Sequence, residues 1–270
     1  MSVRNALEIA TATDTGVVRS YNEDAIATEL DLGLVLVADG MGGYKAGDVA
    51  SGMAAAIVVE ALKHRLNADK PTENSTADVL KFAVDMANRS IFKASQANPQ
   101  YHGMGTTLVM AVFNDNRLTF THVGDSRLYR LRQGKLKALT QDHSILQEQV
   151  QQGLISNDEA RTSHNRHLVT RALGTVEQVQ CTLQERTAEQ GDIYLLCSDG
   201  LNDMVDDIDI ELALNKLQAN LPLAARQLVM MANDNGGHDN ISVILIKVTA
   251  LFPSFKQPKS LLHKLFGWLK

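Results

Sequence analysis

Leu34-Val35-Leu36-Val37-Ala38 runs without a polar residue into Asp39, and four glycines follow closely, Gly40, Gly42, Gly43 and Gly47. A continuous apolar run of this kind reads as a strand buried on both faces. Any fold built on it must cover the strand on two sides and still bring a carboxylate out at its end. A glycine after the aspartate lets the backbone come close and turn its carbonyl toward the same point. Phosphate-binding loops fail on spacing. A dinucleotide fingerprint starting at Gly40 needs glycine where Lys45 stands, and a P-loop ending at Gly47 needs Lys and then Ser or Thr where Asp48 and Val49 stand. Taken alone, Asp-Gly after a strand is also what an ordinary turn looks like.

The pattern recurs. "LTFTHVGDS" ends a strand-like run on Asp125, and "IYLLCSDG" ends another on Asp199-Gly200. "GGHDNISVILI" puts Asp239 ahead of the last apolar run, and "RSYNEDA" adds Glu23 and Asp24 near the start. Carboxylates gathered at strand ends in one crevice build up a negative potential that requires cations. Hard ions such as Mn²⁺ or Mg²⁺ take carboxylate, carbonyl and water oxygens. Two of them together activate a water and clamp a phosphoryl group.

Charge and composition narrow the classes. The 270 residues carry a net charge of -5. Residues 250–270 hold four lysines and no acid, so the remainder is more acidic still, which argues against a nucleic-acid partner. Cys181 and Cys197 alone make no disulfide framework and read as buried small hydrophobes. No apolar run approaches the ~18 residues of a membrane span, and no signal-peptide core follows Met1. A cytoplasmic protein is expected.

Periodicity predicts an early strand at Leu7–Ile9, helices over 48–66 and 76–97, and short strands over 106–113, 118–123, 126–131 and 135–139. A polar loop or flap follows over 153–167. A strand over 193–197, helices over 208–218 and 222–234 and a last strand over 241–248 complete the pattern. Strands in meanders with helices inserted in pairs point to antiparallel sheets covered by helices. One domain over residues 1–249 is expected, followed by a tail over 250–270.

The segments "RSYNEDA", "VADGMGGYKAGDVAS", "GTTLV", "HVGDSRLYRL", "LTQDHS", "LVTRALG", "LLCSDGLNDM" and "GGHDNISVILIKV" resemble, in order, the motifs of the metal-dependent protein phosphatases (the type 2C, or PPM, family) in their bacterial form. The resemblance spans roughly residues 7 to 248. It implies an α+β fold, a central β-sandwich of two antiparallel sheets flanked by helix pairs. It also implies hydrolysis of phosphoserine and phosphothreonine in proteins with Mn²⁺ or Mg²⁺, opposing a bacterial Ser/Thr kinase.

By the same resemblance, Asp39 bridges two metals, with the Gly40 carbonyl on one of them. Asp199 and Asp239 serve the first metal. Glu23 holds the second through its waters, with Asp24 beside it. Asp125 serves a third metal of the bacterial members, to which Asp199 also contributes. Arg19 grips the substrate phosphate, a task suited to its two-pronged guanidinium. Met41 stands where many animal members carry a histidine proposed as general acid. The leaving alkoxide then takes its proton from a metal-bound water or another group. Two rival readings use the same residues, a catalytically silent phosphoprotein-binding module and a hydrolase of small phosphoesters.

Other features read as structural. His122 is expected in the core, His238 in a structural hydrogen bond, and His164 and His167 on a solvated loop. In the tail, "SLLHKLFGWLK" sets Leu261, Leu262, Leu265, Phe266, Trp268 and Leu269 on one helical face. Such a helix either packs on the domain's own surface or docks on a partner or an anionic membrane surface.

Overall fold

The computed structural model describes residues 2–43, 46–66, 75–156, 159–160, 163 and 168–252. Lys45, His164, His167, part of the expected flap and the tail from residue 253 onward lie outside the described residues.

A helical turn α1 (Val3–Ala6) leads into β1 (Leu7–Asp14), and β2 (Asp24–Glu29) and β3 (Leu34–Met41) form a hairpin. Helices α2 (Ala46–Leu66) and α3 (Thr76–Ala97) follow. Then come β4 (Gly105–Thr106), β5 (Leu108–Asn114), β6 (Arg117–Val123), β7 (Arg127–Arg132) and β8 (Lys135–Ala138). After α4 (Ile145–Gln151) the chain forms β9 (Thr182–Thr187), β10 (Ile193–Cys197), α5 (Asp199–Asn202), α6 (Asp207–Leu217), α7 (Leu221–Asp234) and β11 (Ile241–Val248).

Among the described residues the strands form two sheets, ordered β1-β11-β10-β7-β8 and β2-β3-β5-β6-β9, with β4 paired to the end of β3. All these pairings are antiparallel. This is the expected α+β sandwich. Its interior is made by alternate residues of both sheets, among them Val35, Val37, Val109, Phe113, Phe120, Tyr194, Leu196, Ile244 and Ile246. The other face of β3, Leu34, Leu36 and Ala38, packs under the first helix pair. The run that opened the sequence is therefore buried on both sides, between a sheet and two helices. Small residues at helical spacing, Ala46, Ala50 and Ala54, let α2 lie close on that sheet. In α3, Ser75 and Asp78 form the reciprocal capping box that fixes its first turn. The second pair, α6 and α7, buries Ile210, Leu214, Leu221, Ala225 and Leu228 against the first sheet.

The structure amends several sequence expectations. The strand expected over 106–113 is two strands, because Thr107 turns aside to exchange hydrogen bonds with Asp39, N to Asp39 O at 2.8 Å and Asp39 N to Oγ1 at 3.0 Å. β2, β9 and α4 have no counterpart in the periodicity reading. Asp39 lies two residues inside β3, which continues to Met41. Packing also continues past residue 249. Phe252 is 2% exposed, meets Phe113 edge-on at 6.2 Å, and its N donates to Asn116 Oδ1 at 2.6 Å. No helix among the described residues is long and apolar enough to cross a membrane.

Candidate metal centre and active-site cleft

Register places the first two carboxylates. In the β2–β3 hairpin Asp24 pairs directly with Asp39. Like charges directly opposite on an antiparallel pair repel, so this register is tolerated only if a proton or a cation intervenes. Glu23 and Gly40 sit one step away, where Gly40 N donates to Glu23 O at 3.1 Å.

The glycines now have a physical account. A Cβ at Gly40 would come within 2.1 Å of Gly47 O and 2.6 Å of Glu23 O. One at Gly47 would meet Gly40 C and O at 2.7 Å and Glu23 Oε1 at 2.9 Å. Gly40 and Gly47 let the end of β3 and the first turn of α2 touch beside Glu23. A Cβ at Gly43 would meet nothing within 4 Å, so packing does not require that glycine.

The opposite wall comes from the other sheet. Asp199 opens α5 directly after β10, and Asp239 precedes β11. Asp125 follows β6 in a turn whose Gly124 has φ +103°. These groups converge on one cleft of ≈ 220 Å³ lined by Arg19, Glu23, Asp39, Gly40, Met41, Gly42, Thr107, Asp125, Val169, Asp199 and Asp239. Of the expected site residues, only Asp24 does not line it. Asp24 accepts from Ser198 Oγ at 2.7 Å, and its Oδ1 is buried without a protein hydrogen-bond partner. Asp125 and Asp199 also line an adjoining acidic cavity of ≈ 460 Å³ with Asp142, Asp203, Asp206 and Asp207. A larger groove of ≈ 620 Å³ along β1 and α7 carries only Asp14 and Arg226 as charged groups, too little for this chemistry.

Electrostatics follow from the crowding. Burial, then the charges of Asp24, Asp199, Asp125 and Asp239, hold the Asp39 carboxyl well above the usual range. Asp125 is raised well above it by burial and by Asp199 and Asp142. Burial is the main cause for Asp24, pushed up to about 7, and for Asp239. Among the described residues no three His, Cys, Asp or Glu groups already form a closed ligand cluster. The donor set of the cleft, the carboxylates of Glu23, Asp39, Asp125, Asp199 and Asp239 beside Gly40, fits a hard divalent cation.

A stability prediction follows. Unfolded aspartates ionise near pH ~3.9, whereas these folded ones keep their protons to higher pH. As pH rises from about 4 through about 7 and beyond, the unfolded state releases protons that the folded state still holds, so metal-free stability falls. The melting temperature of chelator-treated protein should therefore drop between pH 5 and pH 8, and Mn²⁺ added at pH 8 should raise it. A melting temperature that climbs toward pH 8 without metal would show these carboxylates to be ionised and well separated.

Arg19 is the sole cation lining the cleft among the described residues. Its NH2 donates to Asp239 Oδ2 at 2.7 Å and its Nε to His238 O at 3.4 Å. Sequence reasoning missed the residues that hold the walls. Asn240 accepts from Glu23 N at 2.7 Å and donates to both Thr15 O and Tyr21 O at 2.9 Å, tying the Arg19 loop to β11. Thr106 Oγ1 donates to Asp39 O at 2.8 Å, and Thr107 shares a 2.7 Å hydrogen bond with Ser126. The one available signal was that these residues lie inside "GTTLV", "GDSR" and "GGHDNIS". His122 is buried as expected and stacks on His143 at 4.5 Å.

Known proteins resemble this chain in sequence and in fold. The family model for protein phosphatase 2C matches residues 17–235. The serine/threonine protein phosphatase PstP of Mycobacterium tuberculosis is 41% identical over 243 residues, covering 90% of this chain and 45% of its own length. The chain thus spans less than half of that relative. The serine/threonine phosphatase stp of Listeria monocytogenes is 36% identical over 238 residues, covering 87% of this chain and 93% of its own. A crystal structure of the catalytic domain of PstP in complex with two manganese ions matches with a TM-score of 0.79 and 39% identity, over 90% of this chain and 99% of that one.

Proposed function

This chain belongs to the protein phosphatase 2C family, and from that premise we propose that it hydrolyses phosphoserine and phosphothreonine in proteins with Mn²⁺ or Mg²⁺ in its cleft. The observation that carries the reading is the convergence of Glu23, Asp39, Asp125, Asp199 and Asp239 with one guanidinium, Arg19, in one cleft.

On this reading Asp39 and the Gly40 carbonyl hold cations at the floor of the cleft. Asp199 and Asp239 would hold the first from the opposite wall, and Glu23 would help hold the second. Asp24 acts from beneath, as a buried charge that offsets the cations. Asp125, shared by the two cavities with Asp199, serves a third cation. Bound divalent ions supply the positive charge that makes water nucleophilic at neutral pH and offsets the phosphoryl oxygens. Arg19 orients the phosphate through paired N–H donors. Met41 in the cleft wall donates no proton, so the alkoxide takes its proton from water or from another group in the cleft. The partners are phosphoproteins and the kinase that makes them.

The direct test is turnover of a phosphothreonine peptide with Mn²⁺ and its loss on chelation. Within it, Arg19→Ala separates phosphate binding from metal binding. Loss of one charge-assisted contact is worth roughly 1.5–3 kcal/mol, so kcat/KM should fall about 10- to 100-fold, chiefly through KM. Metal affinity should hold or rise, since Asp239 loses its ion-pair partner. Unchanged KM and kcat would reduce Arg19 to a structural partner of Asp239.

A further inference from the structure

Beside Arg19 lies an exposed apolar rim. Val17, Val18 and Tyr21 are 67%, 61% and 59% exposed. A lone exposed apolar side chain is ordinary, but three within five residues of one loop concentrate apolar surface next to Arg19.

The loop carrying them is fixed. Asp14 Oδ1 accepts from Gly16 N at 2.9 Å and from Asn233 Nδ2 at 3.1 Å. Val17 N and Val18 N both donate to Gly237 O, at 2.9 and 3.3 Å. Asn240 holds the Thr15 and Tyr21 carbonyls, and Asn22 Nδ2 donates to Thr13 Oγ1 at 2.8 Å. Gly16, at φ +80°, passes so close to Asp239 O that a Cβ would stand 2.3 Å from it. Every one of these anchors uses backbone atoms or the side chains of Asp14, Asn22, Asn233, Asn240 and Thr13. None of these hydrogen bonds uses the valine side chains, so serine at 17 and 18 would leave them in place, although Val17 Cγ2 lies close beside Gly237.

The geometry points to a specificity surface: Val17, Val18 and Tyr21 receive an apolar side chain of the substrate, within about three residues of its phosphorylated serine or threonine. This rests on the phosphatase reading. Its warrant is continuity with the phosphate site. Arg19 sits between Val18 and Tyr21 in the chain and itself lines the cleft. A phosphate bound by that guanidinium brings the neighbouring peptide residues, spaced at ~3.3 Å each, over the rim. Val169 lines the cleft and its neighbour Leu168 is 47% exposed, giving a second apolar wall. Because the loop is already ordered, contact with it costs little conformational entropy.

The test compares two phosphothreonine peptides that differ only in Leu or Ser at the positions flanking the phosphoresidue. Both are assayed with Mn²⁺ on the wild type and on Val17→Ser/Val18→Ser, with p-nitrophenyl phosphate as a probe lacking flanks. The wild type should favour the leucine peptide by roughly 10-fold in kcat/KM, mostly through KM, as expected when a small apolar group is buried at a specificity site. The double variant should lose that preference while hydrolysing p-nitrophenyl phosphate at the wild-type rate. Equal rates on the two peptides by the wild type would overturn the proposal, as would an unchanged preference in the variant. A parallel loss on p-nitrophenyl phosphate would also overturn it, by showing that the valines only support Arg19. Hydrolysis of p-nitrophenyl phosphate with neither peptide turned over would instead sink the protein phosphatase reading beneath it.

Discussion

Asp39→Ala should abolish phosphopeptide hydrolysis while the metal-free protein melts no lower than wild type. Asp39 faces Asp24 across the β2–β3 hairpin and also feels Asp199, Asp125 and Asp239. In the metal-free state it is a buried acid among acids, and its removal relieves repulsion. Its backbone is held independently of its side chain, by Thr106 Oγ1 and by Thr107 N and Oγ1. The fold of the cleft should therefore survive. With metal the proposed function reverses the sign, because the cations would lose the Asp39 carboxylate. Loss of one preorganised electrostatic group costs about 10²–10³-fold in kcat, and on the proposed reading, in which Asp39 serves two cations, the loss should reach the upper end or beyond. Single-turnover and steady-state rates on a phosphothreonine peptide with Mn²⁺, beside melting curves in chelator at pH 8, measure both halves. Near-wild-type turnover would remove Asp39 from the metal centre. A large drop in the chelated melting temperature would show its carboxylate to be structural.

The sequence disclosed the parts of this molecule that are locally determined. β10 and β11 were legible at both ends because their apolar runs are buried on both faces, and α3 because Ser75 or Thr76 offers an N-cap and Asn98-Pro99 a stop. The hairpin turn at Asp115-Asn116, with φ of 52° and 55°, was legible from residues that tolerate left-handed backbone. β2 and β9 were not. They are the outermost strands of their sheet, and neither "DAIATE" nor "TLQERT" holds a fully buried residue. Tertiary pairing, not periodicity, makes them strands. In the site, the strand-end aspartates carried a chemical signal and Arg19 a motif signal. Asn240 carried none of its own, because its role is to join Glu23 to Thr15 and Tyr21, more than 200 positions away in the chain. Side-chain pairs brought together only by sheet assembly leave no pattern to read. Arg127 with Asp142 is one such pair, and Arg132 with Asp192 is another.

The Arg132–Asp192 pair should give the largest stability effect of any single substitution outside the core. Asp192 has a side chain 1% exposed, and Arg132 grips it with two prongs, Nε to Oδ1 and NH2 to Oδ2, both at 2.7 Å. The guanidinium also donates to Thr187 O at 3.0 Å, which ties β7 of one sheet to β9 of the other. Arg132→Ala leaves Asp192 buried with only the Tyr194 hydroxyl and the Glu189 N–H, each at 2.9 Å, to stabilise its charge. Breaking a buried pair from one side typically costs about 3–5 kcal/mol. The remaining donors favour the lower figure, so the melting temperature should fall by roughly 6–12 °C for a domain of this size. The exposed pair Arg4–Asp31, with side chains 60% and 71% exposed, is the control. Arg4→Ala should change stability by under about 1 kcal/mol. Arg132→Met/Asp192→Leu should recover much of the loss, because it removes the orphaned charge along with its partner. Neither Arg132 nor Asp192 lines the cleft, so the folded variants should keep wild-type KM. If Arg132→Ala melts within a degree or two of Arg4→Ala, Asp192 has found water or a proton at little cost, and the pair is not what fastens the two sheets at this end.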